Sequence, residues 1–244
     1  MIDLHCHLLP GIDDGANTLA ESLDMARIAV GNGIDRAVMT PHLHPGRYEN
    51  TRSSIEQPLR EFRAALRREQ IALEISVAAE VRLSPEILPL LEQDELPFLG
   101  EMAGYRIMLL EFPHSHIPLG ADNLIKKLLA RKIRPIIAHP ERNKDVIRDL
   151  AKIQPFIDMG CLLQLTASAV AGRFGEGPHL RARQLLELGV VFALATDAHN
   201  LKGRRPELRE GMQAAAEIVG ERAAHAMVYK NPRAILGPRH VAPR

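Results

Sequence analysis

The chain of 244 residues is 46% hydrophobic and balances 31 Lys and Arg against 30 Asp and Glu, a formal net charge of +1. That balance excludes a general attraction to nucleic acid or to an anionic membrane surface, and no apolar run approaches the roughly 20 residues that span a bilayer. Two cysteines, Cys6 and Cys161, exclude a disulfide framework.

The first element is the apolar run Ile2 to Leu4, read as a strand that runs into His5-Cys6-His7. Strand residues two apart share a face, so His5 and His7 can reach one metal ion while Cys6 points the other way, into the core. A secretory leader would overlap residue 5, so the expected location is the cytoplasm, with both thiols reduced. On the following loop, Pro10 to Gly15, Asp14 faces the same end of the strand, with Asp13 as a competing candidate. Thr18-x-x-Glu21 is a capping box opening a helix through Leu19, Leu23, Ala26 and Val30 that ends near Gly33.

The second strand is Ala37 to Thr40, followed by Pro41-His42. A helix with Ile55, Leu59, Phe62 and Leu66 on one face follows a second box, Ser53-x-x-Glu56, with Pro58 in its first turn. Ile75 to Ala79 is the third strand, ahead of Glu80, and Ile107 to Leu110 the fourth, ahead of Glu111. Leu124, Leu128 and Leu129 mark a helix before the fifth strand, Pro135 to Ala138, which precedes His139. Leu162 to Leu165 is the sixth. Leu180, Leu185, Leu186 and Leu188 mark a helix before Gly189, and Val190 to Ala195 is the seventh strand, ahead of Asp197 and His199.

Alternating strands and helices argue for parallel strands with crossover helices, either an open doubly wound sheet or a closed barrel. No Gly-rich fingerprint follows the first strand, which disfavours dinucleotide binding. The expected domain is 1–236, followed by a basic, Pro-rich tail, 237–244, too small to act as a nucleic-acid arm.

Six of the seven strands are followed at once by a ligand-type residue. Each has a bland reading: His42 a turn residue, Glu80 an exposed strand end, Asp197 a helix cap. In a parallel α/β architecture, however, all strand ends lie on one face, so these side chains converge. Burying several carboxylates and imidazoles together is costly unless cations compensate them. Mixed imidazole and carboxylate sets suit Mn, Fe or Zn better than Ca.

The motifs His5-x-His7, Asp14, Thr40-Pro41-His42, Glu80, Leu110-Glu111-Phe112-Pro113, His139-Pro140-Glu141-Arg142 and Asp197-Ala198-His199-Asn200 resemble the polymerase and histidinol phosphatase (PHP) superfamily. Within it the chain resembles most the bacterial protein tyrosine phosphatases of capsule and exopolysaccharide synthesis. The resemblance implies a distorted seven-stranded β/α barrel of TIM-like form and three divalent metal ions, manganese first, with Fe, Zn and Mg as alternatives. It places one metal on His5, His7, Glu80 and Asp197, with Glu80 bridging to a second that also takes Glu111 and His139. The third takes Asp14, His42 and His199. It also implies hydrolysis of phosphotyrosine in proteins by metal-activated water, with the tail of a polysaccharide-synthesis tyrosine kinase as the substrate partner.

A phosphate dianion also calls for arginine, whose fork donates paired hydrogen bonds. Arg142 and Arg204 are the candidates by position and by resemblance, with Arg205 as the alternative to Arg204. No Cys-x5-Arg loop is present, so a thiol nucleophile is excluded. Arg47 and Tyr48 line the entrance or form a plain turn. Gln164 and Thr166 orient water or are core polar residues, His114 and His116 read as surface residues, and Gly172 to Gly177 reads as a mobile loop or a backbone phosphate contact. The alternatives to the protein phosphatase are a histidinol-phosphate or other small-molecule phosphomonoesterase, a nuclease or cyclic phosphodiesterase, and a non-catalytic interaction domain.

Overall fold

The computed structural model describes residues 1–237, so the expected tail lies outside the described residues except for Gly237. In chain order the strands are β1 (Ile2–Cys6), β2 (Arg36–Met39), β3 (His42–His44), β4 (Tyr48–Glu49), β5 (Glu74–Val77), β6 (Glu80–Arg82), β7 (Gly100–Met102), β8 (Tyr105–Glu111), β9 (Ile133–Ala138), β10 (Leu162–Thr166) and β11 (Ala193–Ala195). All seven expected runs are strands; β3, β4, β6 and β7 are additions too short to carry a pattern of their own.

The ladders fall into two sheets, β1-β2-β5 and β11-β10-β9-β8-β6-β3-β4, with β7 pairing antiparallel to β8. The neighbouring pairs are parallel except β3 with β4 and β7 with β8. The architecture is therefore mixed α/β with crossover helices, and the ladders do not draw one closed ring of seven strands. Pro41 lacks the N–H that a ladder needs, so the second strand breaks there. It resumes as β3, which pairs with β6 in the other sheet, His42 opposite Glu80.

Period-two alternation sends strand side chains into two apolar layers. Ile2, Leu4, Val38, Ile107, Leu109 and Ile136 share an inner cluster, whereas Met39, Met108, Leu110, Leu163 and Leu194 pack outward against the helices. Cys6 joins the outer layer and donates from Sγ to the Val38 carbonyl at 3.4 Å, away from its histidine neighbours as expected. The register of β1 against β2 shifts between Asp3 and Cys6, and Cys6 thereby leaves the face that Ile2 and Leu4 occupy.

Helix starts follow local chemistry in one case and not the other. Thr18 caps the helix Leu19–Asn32 by accepting from the Glu21 N–H at 3.2 Å, and Gly33 ends it at φ 95°. Ser53 does not cap the next helix. That helix, Glu56–Arg68, starts two residues later, behind Ile55, because Ser53 gives both its N–H and its hydroxyl to Glu95 at 3.0 Å. Pro58 is tolerated there since first-turn N–H groups have no helical partner. The helix marked by leucines is Glu176–Glu187; Leu185 and Leu186 are buried in it, whereas Leu180 and, just after it, Leu188 face solvent. No helix among the described residues is long and apolar enough to cross a membrane.

Candidate metal centre

The carboxyl ends of the strands carry a cluster of buried histidines and carboxylates. His5 sits on β1, with His7 just beyond it. His42 opens β3, Glu80 opens β6 and Glu111 ends β8; His139 follows β9, and Asp197 and His199 follow β11. Asp14 arrives on the loop after β1, which closes through Ala16 N–H to the His7 carbonyl at 3.1 Å. Gly15 is needed in that loop, since a Cβ there would stand 2.2 Å from the His7 carbonyl oxygen. His139 (φ 33°) and Asp197 (φ 51°) both hold left-handed backbone, which L-residues adopt at a cost of about 1–2 kcal/mol.

Four ligand-type atoms face one point. His5 Nε2 lies 3.2 Å from each of His7 Nε2, Glu80 Oε2 and Asp197 Oδ1, and His7 Nε2 lies 3.4 and 3.5 Å from the same two oxygens. Four ligands held about 2.0–2.1 Å from a central cation at tetrahedral angles are separated by about 3.3–3.4 Å. Glu80 Oε2 and Asp197 Oδ1 are buried without any hydrogen-bond partner, as is His199 Nε2. Unpaired buried polar atoms are rare and expensive, and a cation is what these three lack.

The histidines are oriented for it. His5 Nδ1–H donates to Gln164 Oε1 at 2.9 Å, His7 Nδ1–H to Asp13 Oδ2 at 2.7 Å and His199 Nδ1–H to the Asp197 carbonyl at 2.9 Å. Each bond leaves Nε2 for the cluster, as in metal sites where the second nitrogen is held by an oxygen. Asp13 and Asp14 take different places. Asp13 holds His7 and the His42 N–H (3.0 Å), whereas Asp14, with a side chain 44% exposed, lies 3.2 Å from His42 Nε2 and 3.5 Å from His199 Nε2.

Two further groupings form around these. His7, Asp14, His42 and His199 present ligand atoms within 4.8 Å of one another, and so do His42, Glu80 and Glu111. His42 Nδ1 is 2.9 Å from Glu80 Oε2, while His139 Nε2 bonds the other oxygen of Glu80 at 2.7 Å. Glu111 is steadied by Arg82, which donates to its Oε2 at 2.9 Å. The structure thus brings the nine sequence candidates together, although His42, rather than His139, shares the grouping with Glu111.

Burial and neighbouring charges pull against each other across the cluster. Burial opposes a charge on Glu80, but His5 and then His42 hold its carboxyl well below the usual range. Asp197 is likewise buried yet held low by His5, Arg204 and Arg142. Burial also opposes protonation of His42, and Glu80 and Asp14 override it, raising its pKa to about 10. His199, buried beside His7, is pushed down to about 4. Beneath the site, burial lifts Asp3 to about 6 even though Thr196 N–H donates to it at 3.0 Å. Asp3 was missed in the sequence because a lone strand carboxylate gives no periodic or motif signal.

Arg142 and Arg204 both donate to Asp197 Oδ2, the oxygen turned away from the histidines. Arg205 instead pairs with Glu207 at 3.3 Å. Gln164 serves His5, and Thr166 N–H serves Glu141 Oε1 at 2.9 Å. Tyr48 reaches His42 through a tight turn, His44-Pro45-Gly46-Arg47, in which Gly46 takes φ 80° and the rings stack 5.7 Å apart. Phe174, inside the Gly172 to Gly177 stretch, lies under the Arg142 guanidinium at 5.2 Å. His114 and His116 are exposed and outside the three ligand groupings.

Residues 1–237 match the profile of the family described as capsular polysaccharide synthesis, CpsB/CapC. The chain belongs to this family. Among curated CpsB/CapC relatives it is 32% identical to the tyrosine-protein phosphatase YwqE of Bacillus subtilis, over 97% of this chain and 91% of that one. It is 30% identical to the tyrosine-protein phosphatase CpsB of Streptococcus pneumoniae, over 97% and 98% of the two chains. A crystal structure from the pair YwqE and CpsB, described as unique metal-dependent tyrosine phosphatases, superposes with a TM-score of 0.90 at 30% identity, covering 100% of this chain and 97% of the other. A phosphotriesterase homology protein from Escherichia coli shares the fold at a TM-score of 0.58 and 15% identity, covering 96% and 98%.

Proposed function

We propose that this chain is a metal-dependent phosphatase that hydrolyses phosphotyrosine in proteins with activated water, in capsule or exopolysaccharide synthesis. The observation that carries the reading is the convergence of His5, His7, Glu80 and Asp197 at cation-ligand separations, with two of the four atoms making no hydrogen bond. The names of its relatives favour the tyrosyl ester, and the family description favours capsule synthesis. The substrate partner is then the tyrosine-bearing tail of a polysaccharide-synthesis kinase, met in the cytoplasm.

We assign three divalent cations, manganese foremost, to the nine candidates: His5, His7, Glu80 and Asp197 for the first, Glu80, Glu111 and His139 for the second, and Asp14, His42 and His199 for the third. In the geometric groupings His7 joins the last set, and His42 stands with Glu80 and Glu111 in the place of His139. When bound, such cations lower the pKa of water and neutralise charge on a phosphoryl group. The side chains do the rest. Gln164 and Asp13 keep His5 and His7 in the tautomer that presents Nε2. Arg142 and Arg204 offer N–H donors beside Asp197, where a phosphate dianion would be held in line and its growing charge stabilised. Exposure rises from Glu80, fully buried, to Asp14, so the cluster opens to solvent on the side from which a protein tyrosine would arrive.

We also read the two sheets as halves of one distorted seven-stranded barrel. Ala78 N–H to the Met39 carbonyl (2.9 Å) and Glu80 N–H to the Pro41 carbonyl (3.1 Å) carry the second and third strands across their breaks. On the far side, Asp197 N–H to the His5 carbonyl and His7 N–H to the Ala198 carbonyl, both 2.8 Å, join β1 to the chain beyond β11.

The test is metal analysis of purified protein followed by phosphate release from phosphotyrosyl peptide, phosphoseryl peptide and histidinol phosphate, with and without added Mn. Bound metal and preference for the phosphotyrosyl peptide are expected. No metal and no rescue by Mn would overturn the enzyme reading, and preference for histidinol phosphate would replace it with the small-molecule one.

A further inference from the structure

The geometry points to Phe174 as the residue that reads the aryl ring of the substrate, an inference that rests on the phosphatase reading and deepens it. Phe174 lies between Gly172 (φ 78°) and Gly175 (φ 89°), whose left-handed backbone turns a short loop back on itself between two helices. The loop is pinned on its other side. Arg173 N–H donates to the Ser168 carbonyl at 2.8 Å, and the Arg173 guanidinium reaches Glu210 and, at 3.8 Å, Glu207. Arg173, itself exposed, thus turns toward Glu207 and Glu210, while the half-buried Phe174 ring lies against the Arg142 guanidinium, which is 5.2 Å from its ring centre.

Arg142 in turn donates to Asp197 Oδ2 at the cluster. A phosphate held by Arg142 thus has its ester substituent next to a partly exposed phenyl ring. A tyrosyl ester carries an aromatic ring at that point and can stack on Phe174, whereas a seryl or glyceryl ester offers only a methylene. Tyr48 is the other aromatic at the rim, but its ring already stacks on His42 and carries Arg47 at 5.0 Å. Both rings are half-buried, but Tyr48 lies on a ligand candidate, whereas Phe174 lies on Arg142, the candidate for holding the phosphate. The bland alternative is that Phe174 only steadies Arg142, which would affect every phosphate ester alike.

The test compares metal-loaded wild type with Phe174→Ala and Phe174→Tyr. For Phe174→Ala, KM for a phosphotyrosyl peptide and for p-nitrophenyl phosphate should rise about 2- to 10-fold, with phosphoseryl peptide, glycerol phosphate and metal content unchanged. Phe174→Tyr should restore the aryl preference. Equal losses on aryl and alkyl esters, or no loss on either, overturn the assignment. If the wild type hydrolyses none of these esters, the phosphatase reading fails separately. Calorimetric binding of a phosphonomethyl-phenylalanine peptide against inorganic phosphate then decides the role of Phe174: weaker peptide binding alone supports it, and unchanged peptide binding overturns it.

Discussion

The two ends of the strands are built on opposite plans. At the amino ends, groups close on one another: Arg36 donates to the carbonyls of Leu236 (3.2 Å) and Gly237 (3.1 Å), capping the last helix. Gly100 makes room for the Ile235 carbonyl, 2.3 Å from where its Cβ would stand, and Ile235 plugs the inner apolar cluster. At the carboxyl ends, His5, His7, Glu80, Asp197 and His199 crowd ligand-type atoms together, and two left-handed residues hold the loops. Packing end and ligand end are separate, so stability is drawn from one while the other stores polarity that a cation would satisfy.

Variants that separate the ends should give the clearest contrast. Asp197→Asn removes the carboxylate charge and His5→Ala the imidazole, and each should lower phosphate release on the order of 10³-fold with helical circular dichroism retained; loss of the dichroism would assign these residues to structure. Asp13→Ala leaves the expected ligands in place but frees His7 to rotate. It should weaken metal affinity about 10- to 100-fold, read by titration against a competing chelator, and unchanged affinity would show that the loop alone orients His7. At the other end, Ile235→Ala should cost about 2–5 kcal/mol of stability in urea unfolding, with metal content and turnover per folded molecule unaltered. A fall in metal content there would join the two ends.

The smallest effect expected is a dependence on pH. His42 is raised from 6.5 to about 10 in the metal-free fold, so the folded chain holds a proton that the unfolded chain releases first. Its contribution is complete below pH 6.5 and is lost as pH rises towards 10, so the metal-free protein should lose stability across that window. Cation binding has to displace that proton, so affinity should climb over the same range with measurable proton release. A metal-free unfolding midpoint that does not fall between pH 7 and 9.5 would show that His42 is neutral in the fold.

Much of the ligand end was legible because period-two runs locate strand ends, and parallel order puts those ends on one face. His5, His7, His42, Glu80 and His139 were found that way. The Ser53 box was misread because Glu95, forty-two residues on, outcompetes the local helix for its hydrogen bonds. Leu180 marked its helix, yet it and Leu188 face solvent, because helical spacing alone does not say which side of a helix meets the core.

By itself the sequence determined which residue types stand at the strand ends and which runs form the strands, since these depend on near neighbours along the chain; the outward turn of Cys6 also needed the register shift of β1 against β2. Tertiary structure alone decided that Asp13 holds His7, that Gln164 holds His5 across 159 residues, and that Arg204, not Arg205, reaches Asp197. It also decided that Phe174 lies under Arg142. The physical reason is that each of these choices is settled by which distant polar or aromatic group is within contact distance, a quantity with no periodicity to read.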